Sequence, residues 1–573
     1  MNAFDWLVLL GTILGIVAYG TWRTRHTDNL NTYLKGNSTT KWGTIGLSVM
    51  ATQASTITYL SLPGVAAENG IAFIQNYFGL PLALIVVCAV FLPIYRQLGV
   101  YTAYEYLGQR FDQKTRLLGA GIFVLQRGLQ AGITIYAPAI ILSTVLGWRL
   151  DLTIISTGVL SIVYTVTGGS AAVNLTQKWQ MGVIFGGMIT AFVVLLTKLP
   201  PDALPIAGAL GKLQAVDYDP DLKVRYTVWS GILGGFFLSL SYFGTDQSQV
   251  QRYIGGARLR EGRLGLVFNA LLKIPMQFFI VILGALLFVF YQFQPNTPVL
   301  FNQTQWRQQA DAPTGAAFRA LEEKHAALHT DKQEKIRAWA AAQNGSDPAA
   351  EAAARTTMLA AQKATEAVRK EARTALQNAD PAAKKTKDSD YIFITFILTQ
   401  LPHGAIGLLL AVMFSSALSS KAGELNALGT TTTIDLWRPF RPQAAHDEAR
   451  NVRVAKRFTA IWGLFAIGFA LFVSFAENLI EALNIVASIF YPALLGVFVV
   501  AFFFKHVKGS AVFWAAVAAQ IVVLVIFFVG KAHPAYEIGY LWLNPIGCAA
   551  CVLFSLGLQA IGVGRSANPP SLS

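Results

Sequence analysis

The chain has 573 residues, 54% hydrophobic and 13% charged, with a formal net charge of +14. A soluble chain carries about a quarter charged residues, so this composition excludes an ordinary soluble globular protein. The positive charge lies largely in short loops between apolar runs, where Lys and Arg fix membrane orientation; it does not point to a nucleic-acid partner.

Runs of about 20 apolar residues match the hydrocarbon thickness of a bilayer. Thirteen such runs predict spans at 4–21, 43–63, 71–95, 117–146, 152–168, 179–198, 227–246, 265–293, 391–420, 457–476, 479–504, 509–530 and 538–562. The expected fold class is therefore all-α and polytopic. No basic segment precedes the first run, and Arg23 and Arg25 follow it. It reads as a retained span and not a cleaved signal peptide. Basic loops around Arg23 to Lys41, Arg96 to Arg116, Arg252 to Arg263 and Arg438 to Arg453 alternate with poorer ones. The positive-inside rule then puts the N-terminus outside and the C-terminus in the cytoplasm, in a cell (inner) membrane.

Charge is concentrated in one place: 26 of the 76 Asp, Glu, Lys and Arg residues lie between Arg307 and Asp390. This divides the chain into a first membrane part (1–302), a polar insert (303–390) and a second membrane part (391–573). The insert predicts two long polar helices on the outer side, with a turn at Asn344-Gly345-Ser346-Asp347-Pro348. It reads as a solvated hairpin capping the outer face, with docking of a partner as the alternative.

Two stretches place unusual polarity inside apolar spans: Ala51-Thr52-Gln53-Ala54-Ser55-Thr56 and Ser415-Ser416-Ala417-Leu418-Ser419-Ser420. Lipid offers such groups no partners, so they are expected to face a cavity or an ion. Carbonyls freed at a helix break, with serine hydroxyls from a second helix, can cage a sodium ion. Ser416, Ser419 and Ser420 stand at i, i+3 and i+4, on one helix face. Cys548 and Cys551 form C-A-A-C within an apolar run, a pattern of small packing residues and not a redox pair. No H-E-x-x-H, suitable G-x-S-x-G or Walker A sequence suggests an enzyme, and no cofactor is expected beyond sodium as coupling ion.

In their shared order, several motifs resemble the sodium:solute symporter family, whose members include sodium–glucose, sodium–monocarboxylate and sialic-acid transporters. They are Ser48 to Thr56 running into Leu60-Ser-Leu-Pro-Gly64, Tyr136-Ala-Pro138, Gly168-Gly169 with Gln180, Tyr242 to Gln247 with Gln251-Arg252, Leu272-Lys273, and Ser419-Ser420 with Asn426 and Asp435. The resemblance implies a LeuT-type core of two inverted five-helix repeats whose first helix is broken near the midplane. It implies a sodium site at the carbonyls of Ala51, Ala54 and Ser416 and the hydroxyls of Ser419 and Ser420. It places the solute beside Gln53, Ser55, Thr58, Gln75 or Asn76, Ser239 and Asn484, with Tyr242 as an inner gate or an aromatic packed between helices. Gln130 and Arg127 are further candidates; Arg127 either binds a carboxylate or snorkels to the cytoplasmic end. Lys273 either meets polar cargo or pairs with a carboxylate such as Asp246.

Many relatives carry Thr-Asp after the Gly-Gly turn, where this chain has Thr176-Gln177 followed by Lys178. A neutral amide beside a cation is a poor second sodium site, so one sodium per solute is expected. Amides and hydroxyls at the solute positions favour a sugar or polyol. Arg127, Gln130 and Lys273 keep a small organic anion, a monocarboxylate or sialic acid, as the alternative. A transporter-like solute sensor is the other class, and the short stretch 565–573 after the last span leaves little room for an output domain.

Overall fold

The computed structural model describes residues 1–23, 41–53, 55–254, 258–345, 347–380, 387–441, 447–473 and 478–563. With no water in hydrocarbon, a spanning backbone must pair its own N–H and C=O groups, and the apolar runs accordingly form helices. In chain order these are α1 (Ala3–Arg23), α2 (Trp42–Gln53), α3 (Thr56–Asn69), α4 (Ile71–Leu98), α5 (Ala103–Arg110) and α6 (Gln113–Leu146). Next come the helical stretch α7 (Leu150–Leu196), α8 (Ala203–Ala209), α9 (Ser230–Gly244), α10 (Gln247–Ile254) and α11 (Leu259–Phe293). The polar insert forms α12 (Gln303–Ala310), α13 (Ala316–Gln343) and α14 (Pro348–Ala379). The chain continues through α15 (Ser389–Gln400), α16 (Ala405–Phe440), α17 (Glu448–Phe472), α18 (Leu479–Phe503), α19 (Gly509–Ala532) and α20 (Leu543–Ala560). The described residues contain no strand.

Among the described residues eight helices, α4, α6, α11 and α16 to α20, are long and apolar enough to cross a membrane. Shorter apolar helices cover Ala3–Gly15, Leu150–Val166, Gln180–Leu196 and Ser230–Gly244. Large apolar side chains stand exposed along single helix faces: Leu152, Ile155, Val159 and Val163 on α7, and Trp514, Ile521, Val525 and Phe528 on α19. Such rows suit lipid as their neighbour. The protein is a multi-pass membrane protein.

The two apolar parts of α7 pack on different helices. Gly158 and Ile162 meet Ile467 and Gly463, so the first part is antiparallel to α17. Gln180 and Gly187 meet Ser419 and Leu409, so the second is antiparallel to α16. Small residues let these backbones approach closely. A Cβ on Gly64 would lie 1.8 Å from the Ser389 carbonyl oxygen, and one on Gly284 2.2 Å from that of Pro63. Gly496 similarly accommodates Cys551, whose partner in the C-A-A-C stretch, Cys548, is also buried and free.

Three features differ from expectation. The run 43–63 extends further than expected, through α2 and α3 to Asn69, while its break between Gln53 and Thr56 agrees with the broken first helix that the resemblance implies. The run 227–246 ends in a second break, at Thr245-Asp246, before α10. The run 391–420 divides into α15 and α16 because Pro402 offers no backbone N–H and Gly404 turns the chain with φ 85°.

The insert is a docked hairpin. Asp347 caps α14 by accepting from the amides of Ala349 and Ala350, with Pro348 in the first turn. Trp306 is fully buried and donates to Glu322 Oε1 at 2.8 Å, within an apolar cluster that includes Leu321, Val368 and Leu376. Ile336, Trp339 and Met358 join the main core. One end of α6, at Ser143, faces Gln305 and Ala379 of the hairpin. At the other end Arg116 binds Asp435 at 2.8 Å. The hairpin and the Arg116–Asp435 pair therefore lie at opposite ends of α6.

Candidate functional site

The break between α2 and α3 leaves carbonyls of one half-helix and N–H groups of the next without intrahelical partners in the middle of an apolar unit. Ser55 precedes α3 with extended backbone and makes no side-chain capping bond. The two sides of this break do different things.

On one side, oxygens gather. Ser420 Oγ donates to the Ala51 carbonyl at 3.2 Å. Ser419 Oγ lies 2.8 Å from Gln180 Oε1 and 3.2 Å from the Ser416 carbonyl. Thr56 Oγ1 donates to the Met413 carbonyl, which ties α3 to α16. Ala51, Ser416, Ser419 and Ser420 are all buried. The structure thus brings four of the expected sodium ligands into one cluster; Ala54 lies outside the described residues. The donor set is neutral carbonyl and hydroxyl oxygen. With its proton directed at Gln180 or Ser416, the Ser419 hydroxyl keeps lone pairs for a hard cation, so the residues present fit sodium.

On the other side lies a cavity of about 140 Å³. Gln53, Ser55, Thr58, Asn76, Gln130, Ser239, Tyr242, Lys273 and Asn484 line it. Gln75 does not. Its Nε2 donates to the Tyr226 carbonyl at 2.7 Å and its Oε1 accepts from the Asp217 amide at 3.0 Å. A side chain holding α4 to the connection before α9 is not free for a solute. Gln130 Nε2 donates to the Leu483 carbonyl at 3.0 Å. Both amide atoms of Gln53, Oδ1 of Asn76 and Nδ2 of Asn484 are buried without a partner among the described residues. Such atoms are costly unless something binds them.

The two cations differ sharply. Arg127 does not snorkel; it is 3% exposed and bound to Asp246, to Glu424 at 3.3 Å and to the Tyr491 hydroxyl at 3.2 Å. Tyr491 in turn donates to Asp246 at 2.6 Å, and Thr134 to Glu424 at 2.9 Å. Lys421 adds bonds to Thr134 and the Ala131 carbonyl. This network closes one end of the cavity and holds the second helix break, at Asp246, against α6, α16 and α18. Tyr242 sits beside it, its ring 5.7 Å from the Arg127 guanidinium and its hydroxyl accepting from Gln249 at 2.7 Å. Lys273 is also 3% exposed, but it has no carboxylate within 4 Å among the described residues. Asp246, the alternative partner, is taken by Arg127. The Lys273 ammonium faces the cavity 5.5 Å from the centre of the Tyr77 ring.

Four polar lining residues, Tyr77, Thr134, Glu424 and Tyr491, were not singled out from sequence. Glu424 had a usable signal: an acid four residues beyond Ser420, inside an apolar helix. The side chain of Gln177, on which the one-sodium expectation rests, lies outside the described residues.

This arrangement, two interrupted helices around a polar cavity with an oxygen cluster at one break, defines a secondary-transporter class of membrane protein. A sequence model of the sodium:solute symporter family matches residues 33–291 and 366–519. The chain belongs to the sodium:solute symporter family, which consists of transporters and not enzymes. The human sodium/iodide cotransporter is 33% identical over 249 residues, 43% of this chain and 39% of the relative. The sodium-coupled monocarboxylate transporter 1 of Xenopus laevis is 30% identical over 276 residues, 46% and 43% respectively. The sodium-dependent multivitamin transporter of Oryctolagus cuniculus is 25% identical over 468 residues, 80% and 59%. The chain thus matches less than two thirds of the length of each of these curated relatives. In fold it is similar to a Na+-coupled sialic acid symporter solved in a substrate-bound outward-open state, with TM-score 0.72 and 21% identity over 98% of both chains.

Proposed function

We propose that the protein is a sodium-coupled symporter of a small organic anion. The observation that carries the solute class is Lys273. A buried ammonium without a carboxylate partner is costly, and a negatively charged solute in the cavity supplies the missing counter-charge. The start of α3 adds to this: its uncapped first turn carries the positive end of the helix dipole and borders the cavity at Ser55, Ile57 and Thr58. Relatives named for iodide and monocarboxylates handle anions. The sugar or polyol expectation gives way, because amides and hydroxyls alone fit a polyol but leave Lys273 unaccounted for.

Sodium at Ala51, Ser416, Ser419 and Ser420 couples to the solute through the shared break. An ion that binds the solute-competent state more tightly raises that state's population, and by linkage the solute raises the ion's affinity. One sodium with one monoanion carries no net charge. A tenfold sodium gradient then supplies about 1.4 kcal/mol, enough for about tenfold accumulation. The basic loops face the cytoplasm by the positive-inside rule, which puts the hairpin outside; an inward sodium gradient then makes the direction of transport import.

The charge requirement is tested by competition. In proteoliposomes driven by sodium, uptake of labelled lactate is expected to be inhibited by unlabelled pyruvate and propionate and untouched by lactamide or propionamide. Equal inhibition by acids and amides would remove the anion from the account.

A further inference from the structure

A second and larger cavity, about 420 Å³, lies between the hairpin and the ends of α3 and α11. Five Lys and Arg side chains line it against two carboxylates, Glu68 and Glu366. Some of this charge is balanced: Arg373 pairs with Glu68 at 3.3 Å and Arg369 with Asp388 at 2.8 Å. Lys212, 9% exposed, donates to the Glu68 backbone carbonyl and lies 4.5 Å over the Phe288 ring. Lys332, on the inward face of α13, is 4% exposed and has no ion pair among the described residues. Lys370 is exposed at the rim. Three lysines thus remain against the single carboxylate of Glu366, a positive excess that reaches two charges when Lys332 is protonated.

Buried histidines complete the wall. His325 and His329 are stacked with ring centres 5.7 Å apart. His329 Nε2 is engaged by the Gln294 carbonyl at 3.0 Å, while its Nδ1 is buried and unpartnered. Burial, and then the neighbouring cations, hold His325 down to about 3 and His329 to about 4. Burial and Arg369 bring Lys332 to about 7, with Glu366 pulling the other way. Groups crowded with like charge in this way are stabilised by a bound anion.

We propose that this cavity binds a small dianion, a dicarboxylate or hydrogen phosphate, between the hairpin and the transmembrane core. The geometry supports this on two counts: enclosure by two structural parts and an excess of positive charge. Charge-assisted hydrogen bonds from lysine and arginine are the strong kind. The site is separate from the Lys273 cavity and does not depend on which solute that cavity carries.

Titration calorimetry on the purified full chain in detergent tests this, with succinate, inorganic phosphate and uncharged dimethyl succinate as probes. Saturable heat is expected with at least one dianion and none with the diester. Binding to succinate alone assigns the site to organic acids; binding to both assigns it to charge. Lys332→Gln is expected to weaken binding about tenfold or more while raising the melting temperature of the unliganded chain, because it removes a repelled buried cation. A merely structural lysine would lower that temperature. Lys370→Glu, at the exposed rim where folding is not at risk, should also weaken binding, whereas Lys273→Gln should leave it intact. No saturable heat with either dianion, or heat unchanged by Lys332→Gln and Lys370→Glu, or heat lost in Lys273→Gln alone, would overturn the proposal.

Discussion

Uptake by Ser419→Ala is expected to need about tenfold more sodium, or beyond, for its half-maximal rate. The hydroxyl sits in a buried cluster with the carbonyls of Ser416 and Ala51 and the hydroxyl of Ser420. Removing one oxygen from around a cation forfeits an interaction of the charged kind, worth about 1.5–3 kcal/mol, and each 1.4 kcal/mol is about tenfold. Solute affinity should fall with it at fixed sodium, because the coupling between two sites is reciprocal. Saturating sodium should restore much of the solute affinity, which separates a weakened ion site from a damaged fold. The check is initial uptake rate against sodium concentration at several solute concentrations. An unchanged sodium dependence would take Ser419 out of the ion site.

The second large effect is expected at Lys273. Lys273→Gln should weaken binding of an anionic solute by about 10- to 100-fold, the range of a lost charge-assisted contact. The variant should fold, since losing an unpaired buried charge relieves desolvation instead of creating it. Binding of the matching neutral amide should change little or improve, so selectivity between acid and amide collapses. Inhibition constants for lactate and lactamide in both forms measure this directly. Undiminished preference for the acid would assign the counter-charge elsewhere, with Arg127 the nearest alternative. Arg127, however, already faces Asp246 and Glu424.

Much of this was legible in the chain itself. Apolar runs locate spans because lipid allows little else, and the polar stretches at Ala51 to Thr56 and Ser415 to Ser420 identify the helices that meet, since such groups need partners at depth. What sequence could not give was pairing between distant elements. From sequence Asp246 stood as a partner for Lys273; the approach of α6 to the second helix break gives it to Arg127 instead. Gln75 and Asn76 were interchangeable in a string of residues; the 3₁₀ start of α4, Ile71–Tyr77, points one outward to Tyr226 and Asp217 and the other into the cavity. The break at Thr245-Asp246 was hidden because it coincides with the end of the apolar run, so the polar residues Thr245 to Gln249 read as a loop and not as a gap before a further helix. The split at Pro402 and Gly404 was visible in the residues but overridden by the apolar run around it. The hairpin composition suggested a solvated cap, whereas its inward face carries Trp306, Ile336 and the buried His325, His329 and Lys332. Buried cations of this kind are indistinguishable from surface ones until the hairpin is seated on the core.

The central claim is sodium-driven transport of an anion, and one measurement addresses it most directly. The purified chain in proteoliposomes is given labelled lactate, pyruvate, sialic acid, iodide, glucose and inositol, each with an inward sodium gradient and again with potassium in place of sodium. Saturable uptake of an organic anion that requires sodium, with glucose and inositol excluded, is the predicted result. Uptake of every solute indifferent to the cation, or sodium-dependent uptake of glucose or inositol alone, would contradict it.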